Sequence, residues 1–336
     1  MSDKCTGDPG DTPPDLLFTS IALKSGDSGD LVVAVVGPTG SGKSDLALFL
    51  AEHFGGEIIN CDSIQVYAGL NIGSAKTRPE ERRGIPHHLL DIVQVTRELS
   101  AGEYARLARP VIRSVIERGK LPIVAGGTGF YLRALFDGLS PAPARCPALR
   151  ARLDRVWRRR PVALQRYLRR FDPIAAARIH TNDRQKLIRA IEMTRLLRQP
   201  ASAVQSQPRD SFSGIRLLIL GLDPDRRLLY ERLDRRTEWM FANGLLSESE
   251  HMLSQFRDVG IPRALCSVGY REAIQHLRGE LTFGEALQQA KVRTRHYAKR
   301  QMTWFRADSR VQWISGFGFE ADVQSTALSR VNACKA

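Results

Sequence analysis

No apolar run in this chain approaches the ~20 residues that a membrane-spanning helix needs, so we expect no membrane partner. The first 30 residues are rich in Asp, Gly, Pro and Ser and have no basic stretch followed by an apolar one, so they do not resemble a secretion signal. We interpret residues 1–30 as a flexible extension.

The five cysteines form no C-x-x-C pair, which argues against a disulfide framework or a zinc site and favours the cytoplasm.

Acidic residues are too few to balance the basic ones, which leaves a formal net charge of +14. The imbalance is local, because residues 141–210 hold 17 Lys and Arg but five acids and so carry +12 of that total. A solvated helical surface would explain an isolated run of arginines. An excess this concentrated favours contact with RNA or DNA instead.

The clearest motif is a glycine-rich loop between an apolar, β-branched run (residues 31–36) and an amphipathic helical stretch (residues 45–51). It consists of Gly37, Pro38, Thr39, Gly40, Ser41, Gly42, Lys43 and Ser44. Strand, loop and helix in this order predict a phosphate-binding loop, in which backbone N–H groups and the lysine hold phosphate oxygens and the last hydroxyl reaches a phosphate-bound Mg²⁺. The motif does not identify the molecule that carries the phosphates.

Two further predicted strands end in polar residues. Asp62 follows the strand at residues 57–61, and the Gly126-Gly127-Thr128-Gly129 turn follows the strand at residues 121–125. Ligands bind at the carboxyl ends of strands in parallel sheets, so we expect Asp62 and Thr128 near the phosphates. The alternatives are an Asp62 that only caps the next helix and a turn whose glycines serve positive φ angles.

The order of predicted elements indicates an α/β fold, with a P-loop NTPase-like parallel sheet interrupted by an all-helical domain. We assign residues 31–140 and 211–320 to the core, residues 141–210 to the basic inserted domain, and residues 321–336 to a flexible tail. Helices are predicted at residues 104–118, 225–252 and 285–306, the last with a basic stripe at Arg295, Lys299 and Arg306. His87 and His88 are adjacent on a strand and face opposite sides, which favours structural hydrogen bonds over a shared metal.

Several separated motifs, in order, resemble the tRNA dimethylallyltransferases, also called tRNA isopentenyltransferases. Beyond the glycine-rich loop, they are Asp62-Ser63-Ile64-Gln65-Val66-Tyr67, Pro86-His87-His88-Leu89-Leu90-Asp91, Gly126-Gly127-Thr128-Gly129-Phe130-Tyr131, Asn182-Asp183-Arg184-Gln185-Lys186-Leu187-Ile188-Arg189, Val268-Gly269-Tyr270-Arg271 and Lys299-Arg300-Gln301-Met302-Thr303-Trp304-Phe305-Arg306. They span residues 31–315. No Cys/His finger follows Arg306, so the shorter bacterial type fits, and Lys186 stands where arginine is common in the family.

The resemblance implies transfer of a dimethylallyl group from its diphosphate to N6 of adenosine 37 in tRNA. It implies Asp62 as general base, Thr128 beside the diphosphate, residues 37–44 as the diphosphate site, Mg²⁺ at Ser44, and a helical domain that grips the anticodon stem-loop. We expect a monomer. The implied tRNA contacts are Asp62, Ser63, Ile64, Gln65, Thr128, Arg150, Gln185, Lys186, Leu187, Ile188, Arg189, Val268, Gly269, Tyr270, Arg271, Lys299, Arg300, Gln301, Thr303, Trp304 and Arg306.

Two other functions remain open from the residues alone. An ATP-dependent small-molecule or nucleoside kinase would use the same loop, with the strand Leu217–Asp223 supplying a metal-binding aspartate. A non-catalytic RNA-binding P-loop switch would explain the charge but would leave Asp62 and Thr128 without a role.

Overall fold

The computed structural model describes residues 29–256 and 260–335. These residues form two compact units: Phe136–Phe212 is one, and the described residues before and after it form the other. Residues 1–28, which hold most of the expected N-terminal extension, lie outside the described residues. None of the described helices combines the length and the hydropathy of a membrane span.

The larger unit contains a six-stranded, fully parallel sheet. Its strands are β1 (Asp30–Val36), β2 (Glu57–Asn60), β3 (His87–His88), β4 (Pro122–Ala125), β5 (Ile215–Asp223) and β6 (Val311–Ser315), in the spatial order β3-β2-β4-β1-β5-β6. The central strand β1 is buried throughout Val32–Val36, as expected for a strand covered on both faces. The predicted α/β fold with a parallel sheet is therefore confirmed, and β6 is a strand that the sequence analysis missed.

Within residues 29–256 and 260–335, the strands are accompanied by helices and by two short 3₁₀ turns, Pro79–Arg82 and Arg263–Cys266. The helices are α1 (Lys43–Phe54), α2 (Ala101–Glu117), α3 (Gly129–Phe136), α4 (Pro147–Arg159), α5 (Pro161–Phe171), α6 (Pro173–Arg178), α7 (Arg184–Leu197), α8 (Ala201–Gln205), α9 (Arg226–Ala242), α10 (Leu245–Ser254), α11 (Tyr270–Leu277), α12 (Phe283–Arg306) and α13 (Ala321–Lys335).

Two predicted segments differ from the structure. The single helix expected over residues 225–252 is broken between α9 and α10, because Gly244 takes φ 107°, outside the helical region. The flexible tail expected from residue 321 is wrong for the described residues, which form α13. Val323, Ala327 and Val331 recur every four residues and are buried against the core of the sheet unit, so the helix is held by packing.

The smaller unit consists of α4 to α8 around its own apolar core. That core contains Leu164, Leu168 and Leu187, each almost fully buried. The short helix α8 forms because Ala201 and Val204 are buried in the same core. Most of the arginines of this unit are exposed, so its excess positive charge lies on its surface.

Candidate functional site

Three segments with predicted functional residues follow neighbouring strands. The glycine-rich loop at residues 37–44 follows β1, the turn at residues 126–129 follows β4, and Asp62 lies just after β2. In the sheet β4 lies between β2 and β1, and all three strands run parallel. The three segments therefore meet at one carboxyl edge, where open parallel sheets bind ligands.

Positive backbone angles shape the glycine-rich loop. Gly37, Gly40 and Gly42 have φ of 145°, 81° and 85°. A side chain at Gly40 or Gly42 would also crowd its neighbours, since an added Cβ would lie 2.7 Å from Leu233 and 2.8 Å from the backbone nitrogen of Gly318. Glycine at these positions lets the loop turn its amides inward ahead of the α1 N-terminus.

Several donors in or beside this loop are incompletely used. The Ser41 hydroxyl is buried and has no hydrogen-bond partner among the described residues. The Lys43 ammonium donates to the Pro38 carbonyl at 2.8 Å. Arg236 of α9 donates from Nη2 to the Thr39 hydroxyl at 2.7 Å, while its buried Nε has no partner within the described chain. Buried donors without partners are rare in folded proteins and here surround an anion-binding type of loop.

Burial, with a smaller contribution from neighbouring positive groups, shifts the pKa values of two of these residues. Loss of hydration lowers the pKa of Lys43 to about 8; the negative charge of Asp62 opposes this shift and the positive charge of Arg236 adds to it. Loss of hydration and the positive charge of the nearby Arg232 lower the pKa of Arg236 to about 10. The negative charge of Asp62 opposes this shift as well. Cations that are held close together in a poorly hydrated place favour binding of an anion.

Glycine serves a different purpose in the second turn. Gly126, Gly127 and Gly129 do not have positive φ angles, so the alternative of a turn that needs such angles is wrong here. An added Cβ would instead overlap the Cys61 carbonyl at Gly126, the Gln301 amide at Gly127 and the Trp304 ring at Gly129. These glycines allow β2 and α12 to approach the turn closely.

Gln301 connects the two turns. It is buried on α12, its Oε1 accepts from the Thr39 N–H at 2.7 Å, and its Nε2 donates to the Gly127 carbonyl at 2.9 Å. Both ends of the amide are used inside the protein. Gln301 therefore has a structural role, and the expected tRNA contact stays a prediction.

Asp62 and Thr128 are linked through Ser63. Oδ1 of Asp62 accepts from the N–H groups of Ile64 at 2.8 Å and Gln65 at 3.3 Å, so the residue caps a turn, not a helix. Oδ2 accepts no hydrogen bond from the described residues, and the side chain is half-buried. Thr128 Oγ1 accepts from the Ser63 N–H at 3.0 Å and lies 3.3 Å from the Ser63 hydroxyl. Asp62 thus has a fixed orientation and one oxygen that no described residue uses, and its neighbour Ser63 holds Thr128.

Tyr297 of α12 is a further polar group at this edge. Loss of hydration and the charge of Asp62 raise the pKa of its phenol, although side-chain hydrogen bonding to Thr128 and Gln301 opposes the shift. Its phenol therefore keeps its proton at neutral pH.

The basic stripe of α12 is largely paired with acids of the same unit. Arg295 lies 3.7 Å from Asp234, and Arg306 donates to Asp223 at 3.1 Å. Lys299 is exposed and has no ion pair among the described residues. The expected phosphate-binding stripe is thus reduced mainly to Lys299.

The remaining expected contacts on α12 differ in exposure. Thr303 is exposed, Arg300 packs its guanidinium 5.8 Å from the Tyr297 ring centre, and the half-buried Trp304 fills the space left by Gly129. Trp304 therefore packs against the turn at residues 126–129, Arg300 packs on its own helix, and Thr303 remains accessible.

The motif at residues 268–271 holds the loop that follows Asp62. Tyr270 is fully buried and donates to Glu248 at 2.5 Å, and Glu248 also accepts the N–H groups of Asn71, Ile72 and Gly73. Gln65 donates to the Ser74 and Ala75 carbonyls in the same loop. We therefore assign Tyr270 a structural role.

The other residues of this motif are less accessible than a surface contact would be. Gly269 is buried and donates its N–H to Glu272 at 2.8 Å. Val268 and Arg271 are half-buried.

In the helical unit the expected tRNA contacts fall into two groups. Leu187 and Ile188 are buried in its core, so their side chains serve packing. Gln185 is exposed, Lys186 pairs with Asp183 at 3.0 Å, and Arg150 and Arg189 both bind the buried Glu192.

No group of three or more metal-ligating side chains occurs within residues 29–256 and 260–335. His87 is hydrogen-bonded to the Ile85 carbonyl at 2.8 Å and His88 to Glu57 at 2.6 Å, which confirms the structural interpretation of the pair. Ser44 is exposed in the first turn of α1. A single hydroxyl of this kind suits Mg²⁺ that is held mainly by substrate phosphates.

Comparison with known proteins decides the family. Residues 65–308 match the family described as IPP transferase. The chain belongs to the IPP transferase family. Similar family members are named tRNA dimethylallyltransferase. One from Solibacter usitatus is 52% identical over 89% of this chain and 97% of its own length. One from Koribacter versatilis is 50% identical over 90% of this chain and 98% of its own length. The resemblance derived from the motifs is confirmed.

Solved structures of IPP transferases agree. A full-length tRNA isopentenylpyrophosphate transferase from Bacillus halodurans has a TM-score of 0.66 and 34% identity, covering 91% of this chain and 96% of that one. A eukaryotic dimethylallyltransferase described as acting on tRNA has a TM-score of 0.77 and 26% identity. The match covers 91% of this chain and 80% of the eukaryotic one.

Sequence reasoning missed Arg236. It lies almost two hundred positions after Thr39 in the chain and follows Arg235, a pattern typical of a solvated helix face. No local signal marks it, because only the packing of α9 against the glycine-rich loop brings the two together.

Proposed function

We propose that this protein transfers a dimethylallyl group from dimethylallyl diphosphate to N6 of adenosine 37 beside the anticodon of tRNA. One observation carries the proposal. The positively charged glycine-rich loop and the Asp62 carboxylate, which is fixed through Oδ1, lie at the same edge of the sheet. Family membership and the names of the relatives support this reaction.

In this proposal the glycine-rich loop holds the leaving group. As the carbon–oxygen bond of the allylic diphosphate breaks, negative charge grows on the diphosphate oxygens. The loop amides, the Ser41 hydroxyl, Lys43 and Arg236 are donors that would stabilise this charge. They are positioned before the reaction begins, so little reorganisation is needed.

Asp62 would act on the nucleophile. The exocyclic amine of adenine is neutral and must lose a proton as its bond to the allyl carbon forms. The free Oδ2 of Asp62 can accept that proton, while Oδ1 is held by the turn. Thr128 would orient the diphosphate or the amine through its hydroxyl, which Ser63 fixes.

The residues present fit Mg²⁺. Ser44 would hold the ion together with diphosphate oxygens, and the ion would add positive charge at the leaving group. The lack of a protein-only cluster among the described residues agrees with this ligand set, since Mg²⁺ at phosphate sites takes few protein ligands.

The basic helical unit would bind the anticodon stem-loop. Its exposed arginines supply charge for phosphates, and a base in a single-stranded loop can leave its stack to enter a site. Action as a monomer and a cytoplasmic location stay predictions.

The kinase alternative is weakened by Asp223. Both of its carboxylate oxygens accept from Arg306, at 3.2 and 3.1 Å. A metal-binding aspartate at the end of β5 would need at least one of them.

A transfer assay tests the proposal. We expect radiolabel from dimethylallyl diphosphate to enter an unmodified tRNA transcript, and nucleoside analysis to recover it as N6-(dimethylallyl)adenosine. A transcript with guanosine at position 37 is the matched control and should stay unlabelled. Phosphoryl transfer from ATP without prenyl transfer would contradict the proposal and favour a kinase.

A further inference from the structure

Glu192 of α7 is a carboxylate with no exposed surface in a unit rich in arginine. It accepts from the Cys146 N–H at 2.7 Å, from Nε and Nη2 of Arg150 at 2.9 Å each, and from Nη1 of Arg189 at 2.6 Å. Burial alone would raise its pKa, but the hydrogen bonds from Arg150, the Cys146 N–H and Arg189 lower the pKa of Glu192 to about 2. The group is therefore ionised at any working pH.

The two arginines remain partly exposed although their shared partner is buried. The side chains of Arg150 and Arg189 are each 30% exposed, against 0% for Glu192. A guanidinium has five N–H groups, so each arginine keeps donors that neither Glu192 nor the Pro143 carbonyl uses. The cluster of Arg150, Glu192 and Arg189 carries a net charge of +1 and offers two guanidiniums of fixed orientation.

The cluster also ties together separate parts of the unit. Arg189 donates from Nη2 to the Pro143 carbonyl at 3.0 Å, and Cys146 is the N-cap residue just before α4. The start of α4 has no side-chain cap of its own, so these bonds fix where it begins. Removing Glu192 would release Arg150 and Arg189 together.

We propose that Glu192 is a positioning residue that holds Arg150 and Arg189 as a preorganised pair for the phosphates of an RNA strand. A planar guanidinium with one edge held by a carboxylate keeps its other donors in one geometry, which suits recognition of phosphate. The inference rests on the proposed function, because it assigns part of the tRNA contact. A buried ion pair is in itself weak support for a stabilising role, so the fixed orientation is the property to test.

The full-length variant Glu192→Gln separates positioning from charge. The substitution makes the unit more positive, so charge alone predicts tighter tRNA binding. Positioning predicts the reverse: tRNA affinity falls about tenfold, as expected when two charge-assisted contacts lose their geometry. The slope of log affinity against log salt concentration becomes shallower by about 1 to 2. The KM for dimethylallyl diphosphate stays unchanged, as this substrate binds in the other unit.

Asp210→Asn is the matched control for Glu192→Gln, because it removes the same charge from an exposed carboxylate of the same unit. We expect it to leave tRNA binding unchanged or slightly tighter. Circular dichroism melting confirms that each variant is folded at the assay temperature. Unchanged or tighter binding by folded Glu192→Gln would overturn the inference.

A second pair of variants keeps the test decisive if Glu192→Gln does not fold. Arg150→Lys retains the charge but cannot make the two-bonded contact to Glu192, whereas Arg155→Lys makes the same change at an exposed position of α4. Positioning predicts weaker tRNA binding for Arg150→Lys alone. Equal affinities for both would overturn the inference, while a wild-type protein that neither binds nor labels tRNA would instead overturn the proposed function.

Discussion

Two glycine-rich turns lie side by side at the carboxyl edge of the sheet, one after β1 and the other after β4. In the first, Gly40 and Gly42 take positive φ angles and the Ser41 hydroxyl is buried without a partner among the described residues. In the second, Gly126 and Gly127 have no such angles and make room for the backbone of Cys61, just after β2, and for the side chain of Gln301. The comparison indicates that the first turn has a geometry that suits an anion, whereas the glycines of the second make room for the segments packed around Thr128.

The largest effect is expected at Asp62, which belongs to neither turn but lies beside both. Asp62→Asn keeps an Oδ1 acceptor for the Ile64 and Gln65 N–H groups and removes the proton acceptor. We expect turnover to fall by about 10² to 10⁴ with the fold intact. Single-turnover transfer and tRNA binding, measured on the same sample, check this. Near-normal turnover would remove Asp62 from the proposed role.

A stability measurement distinguishes the glycines of the second turn from an ordinary glycine. An alanine at position 126 would place its Cβ against the Cys61 carbonyl, which belongs to the backbone and cannot easily move. We expect Gly126→Ala to lower the free energy of unfolding by about 3 kcal/mol in urea denaturation.

Gly284→Ala is the control for Gly126→Ala, because position 284 is helical and no atom lies within 4 Å of an added Cβ. It should raise stability by about 0.5 kcal/mol. Equal effects at both positions would mean that close approach is not what requires glycine at residue 126.

Gln301 is the point at which the two turns can be uncoupled. Gln301→Leu has a similar size but leaves the Thr39 N–H and the Gly127 carbonyl without this partner, at a cost of about 1 to 3 kcal/mol. We expect the KM for dimethylallyl diphosphate to rise about tenfold, because the first turn loses its support. A loss of stability without a change in KM would limit Gln301 to folding.

The smallest effect is a pH dependence specific to the first turn. Its Lys43 has a pKa of about 8, lowered mainly by loss of hydration, and only the protonated form carries the charge that attracts diphosphate. Diphosphate affinity should therefore fall as pH rises through 8, by up to about tenfold between pH 7 and 9. Isothermal titration over this range checks the sign. An affinity that rises with pH would contradict it.

Much of the fold could be predicted because its signals are local. The buried run of β1, the Ser100–Glu103 capping box of α2 and the glycine-rich loop each depend on a few adjacent residues. The missed features depend on distant ones. Val323, Ala327 and Val331 form a helix because the core covers them, and Arg236 reaches Thr39 only through tertiary packing.

Exposure also limited what the sequence could predict about the site. The motifs marked Leu187, Tyr270 and Gln301 as functional, but all three are buried. A family motif contains residues that position a site as well as residues that touch a ligand. The sequence cannot separate these two roles, since burial is decided by segments far away in the chain.

Titration with inorganic diphosphate tests the division of labour between the two turns most directly. We predict that the wild-type protein binds diphosphate at one site in competition with dimethylallyl diphosphate, that Lys43→Met abolishes this binding, and that Thr128→Val retains it. Equal binding by Lys43→Met and the wild type, or loss in Thr128→Val alone, would contradict the assignment of the glycine-rich loop as the diphosphate site.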